Sequence, residues 1–215
     1  MTWPSLLDIR TRERSLLNEP VFILWPDAEL NRLSNDAERD IAIKTGCIES
    51  IDTVMTTASS RLVAVSGYRV KYVEYVSGSE RPKGLARITI RQMGFLGTNG
   101  ALPQYWCQWG RYILVDPLPV AAHTLNVYMA DWPQVEMSAD ADTPEIPAEF
   151  HNLIPAYAYW KALLKIRKFG SSGAVYLDYI GALQRSRSQL LDRYPDQRAD
   201  LKIPDRIEIR RPQER

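Results

Sequence analysis

The sequence predicts an α+β fold, with N-terminal helices, a central antiparallel β region, and a C-terminal helical hairpin that continues into an extended arm. Apolar residues recur at three- and four-residue steps on both sides of the middle of the chain, which is typical of helices with one buried face. Between these parts, residues 48–132 are rich in Val, Ile, Thr, Tyr and Trp, in short stretches cut by turn-forming residues. With 215 residues, 45% of them hydrophobic, the chain is long enough to bury a sizeable core.

Two helices are predicted before the β region. Residues 26–45 begin with Pro26, which suits the first helical position, and end before Gly46, which can adopt the left-handed conformation of a helix stop. The apolar stripe of this helix consists of Leu30, Leu33, Ala37 and Ile41. A weaker pattern predicts a helix over residues 5–17, and its apolar positions are Leu6, Leu7, Ile9 and Leu16.

The β region contains six candidate strands, and the segment from Gly110 to Tyr112 is a candidate tight turn between two of them. We expect antiparallel pairing, because the gaps between candidate strands are too short for helical crossovers. The candidate strands are Ile48 to Thr57, Tyr68 to Val76, Leu85 to Arg91, Gln104 to Trp109, Tyr112 to Val115 and Thr124 to Ala130.

A polar, proline-bearing linker, SADADTPEIPAEF, leads from the β region into a helical hairpin predicted at residues 147–169 and 172–194. Gly170 is expected to close the first helix, and Ser171 or Ser172 to cap the second. Pro155 falls inside the first helix, where its ring meets the carbonyl four residues back, so we expect a bend or a late start there. Residues 1–194 are therefore expected to form the folded domain.

The last residues, 195–215, alternate charged residues with a few aliphatic ones and are expected to form an arm. Such a segment cannot offset its ordering entropy of about 1–2 kcal/mol per residue without a partner surface. The alternation around Ile207 and Ile209 would allow a strand to be added to the sheet edge of a partner. The predicted partner-binding residues of the arm are Ile203, Ile207, Ile209, Arg210 and Arg211.

Composition argues against several classes of function, although it leaves room for a local basic patch. The net charge of +1 gives no overall electrostatic case for a nucleic-acid-binding protein. No apolar run approaches the length that spans a bilayer, and the first residues lack a secretory signal, so we expect the protein to act where it is made. Cys47 and Cys107 are far apart and belong to no paired motif, which favours free thiols in a reducing cytoplasm.

No catalytic, metal or cofactor site is predicted. Cys107 could in principle pair with His123 or His151, but its neighbours carry no nucleophile signature, and a buried thiol in a strand is the favoured interpretation. The acidic cluster of Asp140, Asp142 and Glu145 lacks the ligand alternation of a calcium loop, so a solvated linker is expected. Glycines at 94, 97 and 100 lack the following Lys-Ser/Thr of a phosphate-binding loop.

Aromatic residues are concentrated in the second half of the β region, where they could stack nucleic-acid bases or pack in a core and a subunit interface. Only Arg111 is basic in that segment, which favours packing. The group comprises Tyr105, Trp106, Trp109, Tyr112, Tyr128 and Trp132.

The succession of segments resembles the head-to-tail adaptor proteins of short-tailed phages and their relatives, from about residue 5 to about residue 194. The resemblance is carried by WPDAELNRLSNDAERDIAIKTGC, LPQYWCQWGRYILVDPLPVAAHTLNVYMADWP, DADTPEIPAEFHNLIPAYAYW and the closing helical pair. No single motif in it is diagnostic, and Pro155 and the long arm depart from the expected pattern.

The resemblance implies a structural virion protein and not an enzyme. Twelve subunits would form a ring beneath the portal protein, in the neck between capsid and tail, after synthesis in the host cytoplasm. The ring would extend a channel through which DNA passes without sequence-specific binding, and it would offer a platform to tail nozzle or fibre-attachment proteins. Two alternatives remain at this point: a virion-associated hydrolase, or a single-stranded nucleic-acid binding module built on the aromatic strands.

Overall fold

The computed structural model describes residues 4–19, 24–76, 82–93 and 102–193, with only the backbone of residues 190–193. In these residues, four α-helices form a helical module, and eight strands form two four-stranded sheets between the second and third helices. The α+β prediction, with helices on both sides of a central β region, is confirmed. The arm predicted at residues 195–215 lies outside the described residues.

The helical module is built from α1 (Leu6–Leu17), α2 (Asp27–Thr45), α3 (Leu153–Lys165) and α4 (Phe169–Arg193). Ser5 caps α1 by accepting a hydrogen bond from the backbone N–H of Asp8, and Gly46 ends α2 in the left-handed conformation, as predicted. All four helices contribute side chains to one apolar core. Its buried members are Leu6, Ile9, Ala37, Ile41, Ala42, Met137, Ile146, Phe150, Leu153, Ile154, Tyr157, Tyr179 and Leu183.

Sheet 1 is antiparallel, with the strand order β1-β8-β3-β4. It consists of β1 (Glu49–Met55), β3 (Arg69–Val76), β4 (Lys83–Gly84) and β8 (Thr124–Ala130). Sheet 2 has the order β2-β7-β6-β5. It consists of β2 (Leu62–Ala64), β5 (Ala86–Arg87), β6 (Tyr105–Trp109) and β7 (Tyr112–Asp116).

The two sheets bury one face each in a shared apolar core. Sheet 1 contributes the alternate residues Leu125, Val127 and Met129 of β8, which face Val70 and Val73 of β3. Sheet 2 contributes Val63, Trp106, Ile113 and Val115. The other face of each sheet points away from this core, and no described helix makes an extensive contact with either of them.

The helical module and sheet 1 are joined through the end of α2. The hydroxyl of Tyr68 donates to the carbonyl of Ala42 at 2.8 Å, and the ammonium of Lys71 donates to the carbonyl of Gly46 at 3.1 Å. Tyr68 also packs on Trp132, with 5.2 Å between ring centroids. Side chains that precede or begin β3 thus donate to carbonyls in the last turn of α2 and at its cap, where the carbonyl of Ala42 also accepts the N–H of Gly46.

Several strand predictions were wrong in detail. The candidate strand from Leu85 to Arg91 is only two residues long, because a 3₁₀ turn at Ile90–Gln92 replaces its second half. β5 pairs with β6 in parallel, contrary to the prediction of antiparallel pairing throughout. The strands β2 and β4 were not predicted, since two or three residues are too few to show alternation. The predicted turn at Gly110 is confirmed, with a left-handed Gly110 between Trp109 and Tyr112.

The helix boundaries near the C-terminus also differ from those predicted. α3 starts late, at Leu153, which places Pro155 in the first turn, where its missing N–H costs no hydrogen bond, as the late-start alternative expected. Gly170 does not close α3: the left-handed residue is Arg167, and α4 already begins at Phe169. Ser172 is therefore inside α4 and donates to the carbonyl of Phe169, so neither Ser171 nor Ser172 is the cap that was predicted.

The apolar stripe of α2 is buried as predicted, whereas that of α1 is only half correct. Leu30, Leu33, Ala37 and Ile41 are all buried. On α1, Leu6 and Ile9 are buried, but Leu7 and Leu16 are exposed, because the polar Arg10 and Glu13 occupy the inward positions in their place. Charged residues at buried positions interrupt the apolar periodicity, so the pattern of apolar residues does not predict the buried face of α1.

Candidate interaction surfaces

Cys107, His123 and His151 lie in three different parts of the fold. Cys107 is buried in β6, where burial raises the pKa of its thiol, as expected for an unreactive cysteine. His123 precedes β8 and packs edge-on against Tyr75, with 5.5 Å between ring centroids. His151 is buried before α3, with Nε2 2.7 Å from the carbonyl of Ile146, and burial lowers its pKa. Each histidine is therefore held by contacts in its own part of the fold, His123 by a neighbouring strand and His151 by the segment before α3.

The acidic cluster of the linker binds protein groups. Asp142 accepts hydrogen bonds from the backbone N–H groups of Ser138 and Ala139, both at 2.7 Å, and these lower its pKa. Glu145 accepts from the N–H groups of Gln134 and Val135. Asp140 pairs with Arg10 of α1. The segment is thus docked on the helical module, which corrects the prediction of a merely solvated linker.

Within the described residues, no group of three or more His, Cys, Asp or Glu side chains is arranged to hold a metal ion. The same part of the chain contains no helix both long and apolar enough to cross a membrane.

The most deeply buried carboxyl groups of the helical module belong to Glu13 and Glu38. Glu13 is fully buried, accepts a hydrogen bond from the hydroxyl of Ser34 at 2.8 Å, and has its pKa raised to about 8 by burial. Burial likewise raises the pKa of Glu38 to about 7, although Glu38 accepts hydrogen bonds from the N–H groups of Glu145 and Ile146. Both carboxyls join helices and linker to one another, and neither opens into a cleft with a nucleophile.

The aromatic residues that were singled out in the sequence do not form one surface. Trp106 is buried between the sheets, where its indole N–H donates to the carbonyl of Leu85 at 3.2 Å. Tyr128 lies on the outer side of sheet 1, and Trp132 packs on Tyr68. Core packing, the favoured interpretation, is confirmed for Trp106. Tyr105, Trp109 and Tyr112 remain together on the outer side of sheet 2.

The outer side of sheet 2, called here the sheet-2 face, is mostly apolar. Three rows of cross-strand neighbours form it; two of them contain no charged residue, and the third consists of Tyr105 and the buried carboxylate of Asp116. Trp109, beside the turn of the β6-β7 hairpin, is 61% exposed, and Leu62 and Tyr112 are also exposed. The first row is Leu62, Leu114 and Cys107; the second is Ala64, Tyr112 and Trp109.

The outer side of sheet 1, called here the sheet-1 face, combines apolar and polar residues. Ile51 and Met55 of β1 and Tyr72 of β3 are exposed. Between them, the hydroxyl of Tyr128 donates to the carboxylate of Glu74 at 3.1 Å, and Thr53 donates to Asn126 at 3.0 Å. The rows are Ile51, Tyr128 and Tyr72; Thr53, Asn126 and Glu74; and Met55, Thr124 and Val76.

A third exposed region is the corner where α3 turns into α4. Arg167 and Lys168 are exposed there beside the apolar Ile166 and Phe169, and Leu177 is exposed further along α4. From residue 150 to residue 177 the sequence contains four basic residues and no acidic one. Of the four, Lys165 is paired with Glu29 at 2.6 Å. The corner is therefore both basic and apolar, although the chain as a whole is almost neutral.

The partner-binding residues predicted from sequence, Ile203, Ile207, Ile209, Arg210 and Arg211, lie outside the described residues. Sequence reasoning missed the three exposed regions in the described part. The run of basic residues between 150 and 177 was a usable signal for the corner, and the alternation of Leu62, Ala64 and their neighbours was too short to indicate a face.

The family model described as SU10 adaptor protein matches residues 1–204. The chain belongs to the SU10 adaptor protein family. The resemblance inferred from the order of segments is thereby confirmed, and it extends beyond α4 into the arm. As a phage adaptor, this protein is a structural component of a virion. Among curated proteins, a search finds no sequence that matches the adaptor.

Proposed function

We propose that this adaptor assembles as a ring of twelve subunits beneath the portal, in the neck between capsid and tail. The ring extends the DNA channel and serves as a platform for tail nozzle or fibre-attachment proteins. The observation that carries the proposal is the match of a phage adaptor family along nearly the whole chain. Ring assembly, portal contact and tail contact each require a separate docking surface on one subunit.

The distribution of exposed apolar residues supports several such surfaces. Phe169 and Leu177, at the basic corner and along α4, are 65% and 72% exposed, and the sheet faces expose Trp109, Ile51 and other large side chains. Exposed apolar groups that cluster in several regions are more typical of subunits in an assembly than of isolated monomers. The corner, with Arg167 and Lys168, fits a protein partner that offers apolar contact rimmed by carboxylates.

The arm is proposed to take part in this docking. Ile203, Ile207 and Ile209 would supply apolar anchors on the portal or a neighbouring subunit, and Arg210 and Arg211 would pair with carboxylates at the rim. A subunit of net charge +1 also suits a channel wall along which DNA slides, because retention grows with the number of phosphates neutralised.

Deletion of residues 196–215 tests the proposal on portal rings purified from the same phage. The truncated adaptor is expected to keep its melting temperature while its binding to portal weakens, because the arm contributes to docking and not to the core. A matched control replaces only Arg210 and Arg211 by Gln, which keeps the apolar anchors and should weaken binding less. Failure of the full-length adaptor to bind portal would overturn the proposed function, and equal binding by the truncated chain would overturn the role of the arm.

A further inference from the structure

The two outer faces of the β-sandwich lie on opposite sides of one shared core. Sheet 1 and sheet 2 each direct alternate side chains into that core, so the remaining side chains of each sheet point in opposite directions. A closed ring of identical subunits needs a heterologous contact between two different surfaces of the same chain. Surfaces on opposite sides of a subunit allow that contact to be repeated from one neighbour to the next.

We propose that neighbouring adaptor subunits contact each other sheet to sheet, with the sheet-2 face of one chain packed on the sheet-1 face of a second copy. This inference rests on the proposed ring and specifies its lateral interface.

The composition of the sheet-2 face is the first argument. The solvent face of an antiparallel sheet is ordinarily polar, whereas six residues in two rows of this face carry no charge, and the one carboxylate of its third row, Asp116, is buried and paired with Arg61. Trp109, Tyr112 and Leu62 are all exposed, and aromatic side chains supply much of the binding energy of protein interfaces. An uncovered face of this kind indicates a surface that becomes buried on assembly.

The charges that flank the faces favour pairing of unlike faces. Arg111 in the hairpin turn and Arg61 beside β2 flank the sheet-2 face, and Asp116, the carboxylate paired with Arg61 at 3.1 Å, is fully buried. The sheet-1 face carries Glu74 among its exposed apolar residues, whereas Glu49 at the start of β1 is already paired with Lys71. Because Arg61 is paired within its own chain, the contrast rests on Arg111: two sheet-2 faces packed together would bring Arg111 near its own copy, whereas a sheet-1 face offers the carboxylate of Glu74 and its own apolar side chains.

Cysteine cross-linking on assembled portal complexes tests this arrangement. The double variant Leu62→Cys/Met55→Cys places one thiol on each face, and a flexible bis-maleimide should then link adaptor chains into a ladder that extends beyond dimers. Each single variant should give no more cross-linking than the wild-type chain, whose Cys107 is buried and whose Cys47 is half-buried. A mixture of the two single variants should give dimers.

Cross-linking by Leu62→Cys alone would indicate that like faces pair, and no cross-linking by the double variant would indicate that neither face lies in the interface. Both results would overturn the inference while leaving the proposed function intact, provided that wild-type adaptor assembles on portal. Failure of wild-type assembly would overturn both.

A charge placed on the sheet-2 face gives a second test. Leu62→Glu should reduce the number of adaptor chains retained on portal by about tenfold at limiting concentration while leaving the melting temperature unchanged, since Leu62 is exposed. The control Val135→Glu alters an exposed apolar residue just before the linker, on neither sheet face, and should assemble normally. Normal assembly of Leu62→Glu would overturn the inference. The inference would also be overturned if the wild-type adaptor bound a thymidine oligonucleotide and Trp109→Ala did not, because that result would assign the sheet-2 face to nucleic-acid binding.

Discussion

The side-chain oxygen of Gln108 in β6 accepts a hydrogen bond of 2.9 Å from the backbone N–H of Val70 in β3 and thereby links the two sheets. Its amide group donates to the carbonyls of Tyr68 at 3.0 Å and Gly110 at 3.1 Å. Val70 stands at the register shift in the β3-β8 pairing. A side-chain amide therefore supplies hydrogen bonds to backbone groups of both strands at the irregular end of the sandwich.

Replacement of this amide should lower stability. Gln108→Ala leaves the N–H of Val70 and the carbonyl of Tyr68 without their side-chain partner, and we expect a loss of about 1–3 kcal/mol in the free energy of unfolding. Urea denaturation measures this loss. The control is Gln104→Ala, an exposed glutamine just before the same strand, which should change stability little. Equal effects of the two substitutions would contradict the role assigned to Gln108.

Leu183 should be a core residue of the helical hairpin. It is 5% exposed and belongs to the helical core, so Leu183→Ala should cost about 2–5 kcal/mol of stability. Leu177→Ala changes a 72% exposed leucine on the same helix and should cost little in the free subunit. The melting temperatures of the two variants, measured side by side, check the assignment. A Leu183→Ala variant with the same melting temperature as Leu177→Ala would refute it.

Glu13 should make stability fall as pH rises. Because burial raises its pKa from 4.5 to about 8, the folded chain holds a proton that the unfolded chain releases between these values. Each such proton lowers stability by about 1.4 kcal/mol per pH unit. Between pH 6.5 and 8, His151, whose pKa is lowered, contributes little to the pH dependence of the free energy of unfolding, so Glu13→Gln should flatten the decline of that free energy. Chemical denaturation at several pH values measures the slope, and the exposed Glu136→Gln serves as the control. An unchanged slope in Glu13→Gln would count against a protonated Glu13.

Glu38 should hold the linker on α2. Its carboxylate oxygen accepts hydrogen bonds from the backbone N–H groups of Glu145 and Ile146, and the side-chain oxygen of a glutamine can accept the same hydrogen bonds. Glu38→Ala should therefore cost roughly 1–3 kcal/mol and speed hydrogen exchange at those two amides, whereas Glu38→Gln should preserve their protection. Similar exchange in the two variants would show that the linker is held by other contacts, such as the burial of Ile146.

The sequence predicted the elements whose signal is long and regular. The apolar stripe of α2 spans three turns, and β8 alternates over seven residues, so both were predicted within a residue. The boundary between α3 and α4 was missed because Arg167, and not the nearby Gly170, adopts the left-handed conformation. β2 and β5 were missed or misjudged because strands of two or three residues depend on partners distant in sequence.

The interaction surfaces were less accessible to sequence reasoning than the fold. Whether Trp109 is exposed and Trp106 buried depends on which face of β6 meets sheet 1, and neighbouring tryptophans give no sign of that choice. The arm was singled out because its composition is distinctive, and its partner-binding role stays a prediction. Family membership could be recognised because it depends on the order of segments along the whole chain and not on any one site.

The native mass of portal rings before and after incubation with the purified adaptor tests the proposed assembly most directly. Saturated complexes should gain the mass of twelve chains of 24.6 kDa each, in a single step from empty to fully decorated rings if lateral contacts are cooperative. Portal rings that gain no mass at adaptor concentrations in the micromolar range, or that gain chains in a number unrelated to the symmetry of the portal, would contradict a ring-forming head-to-tail adaptor.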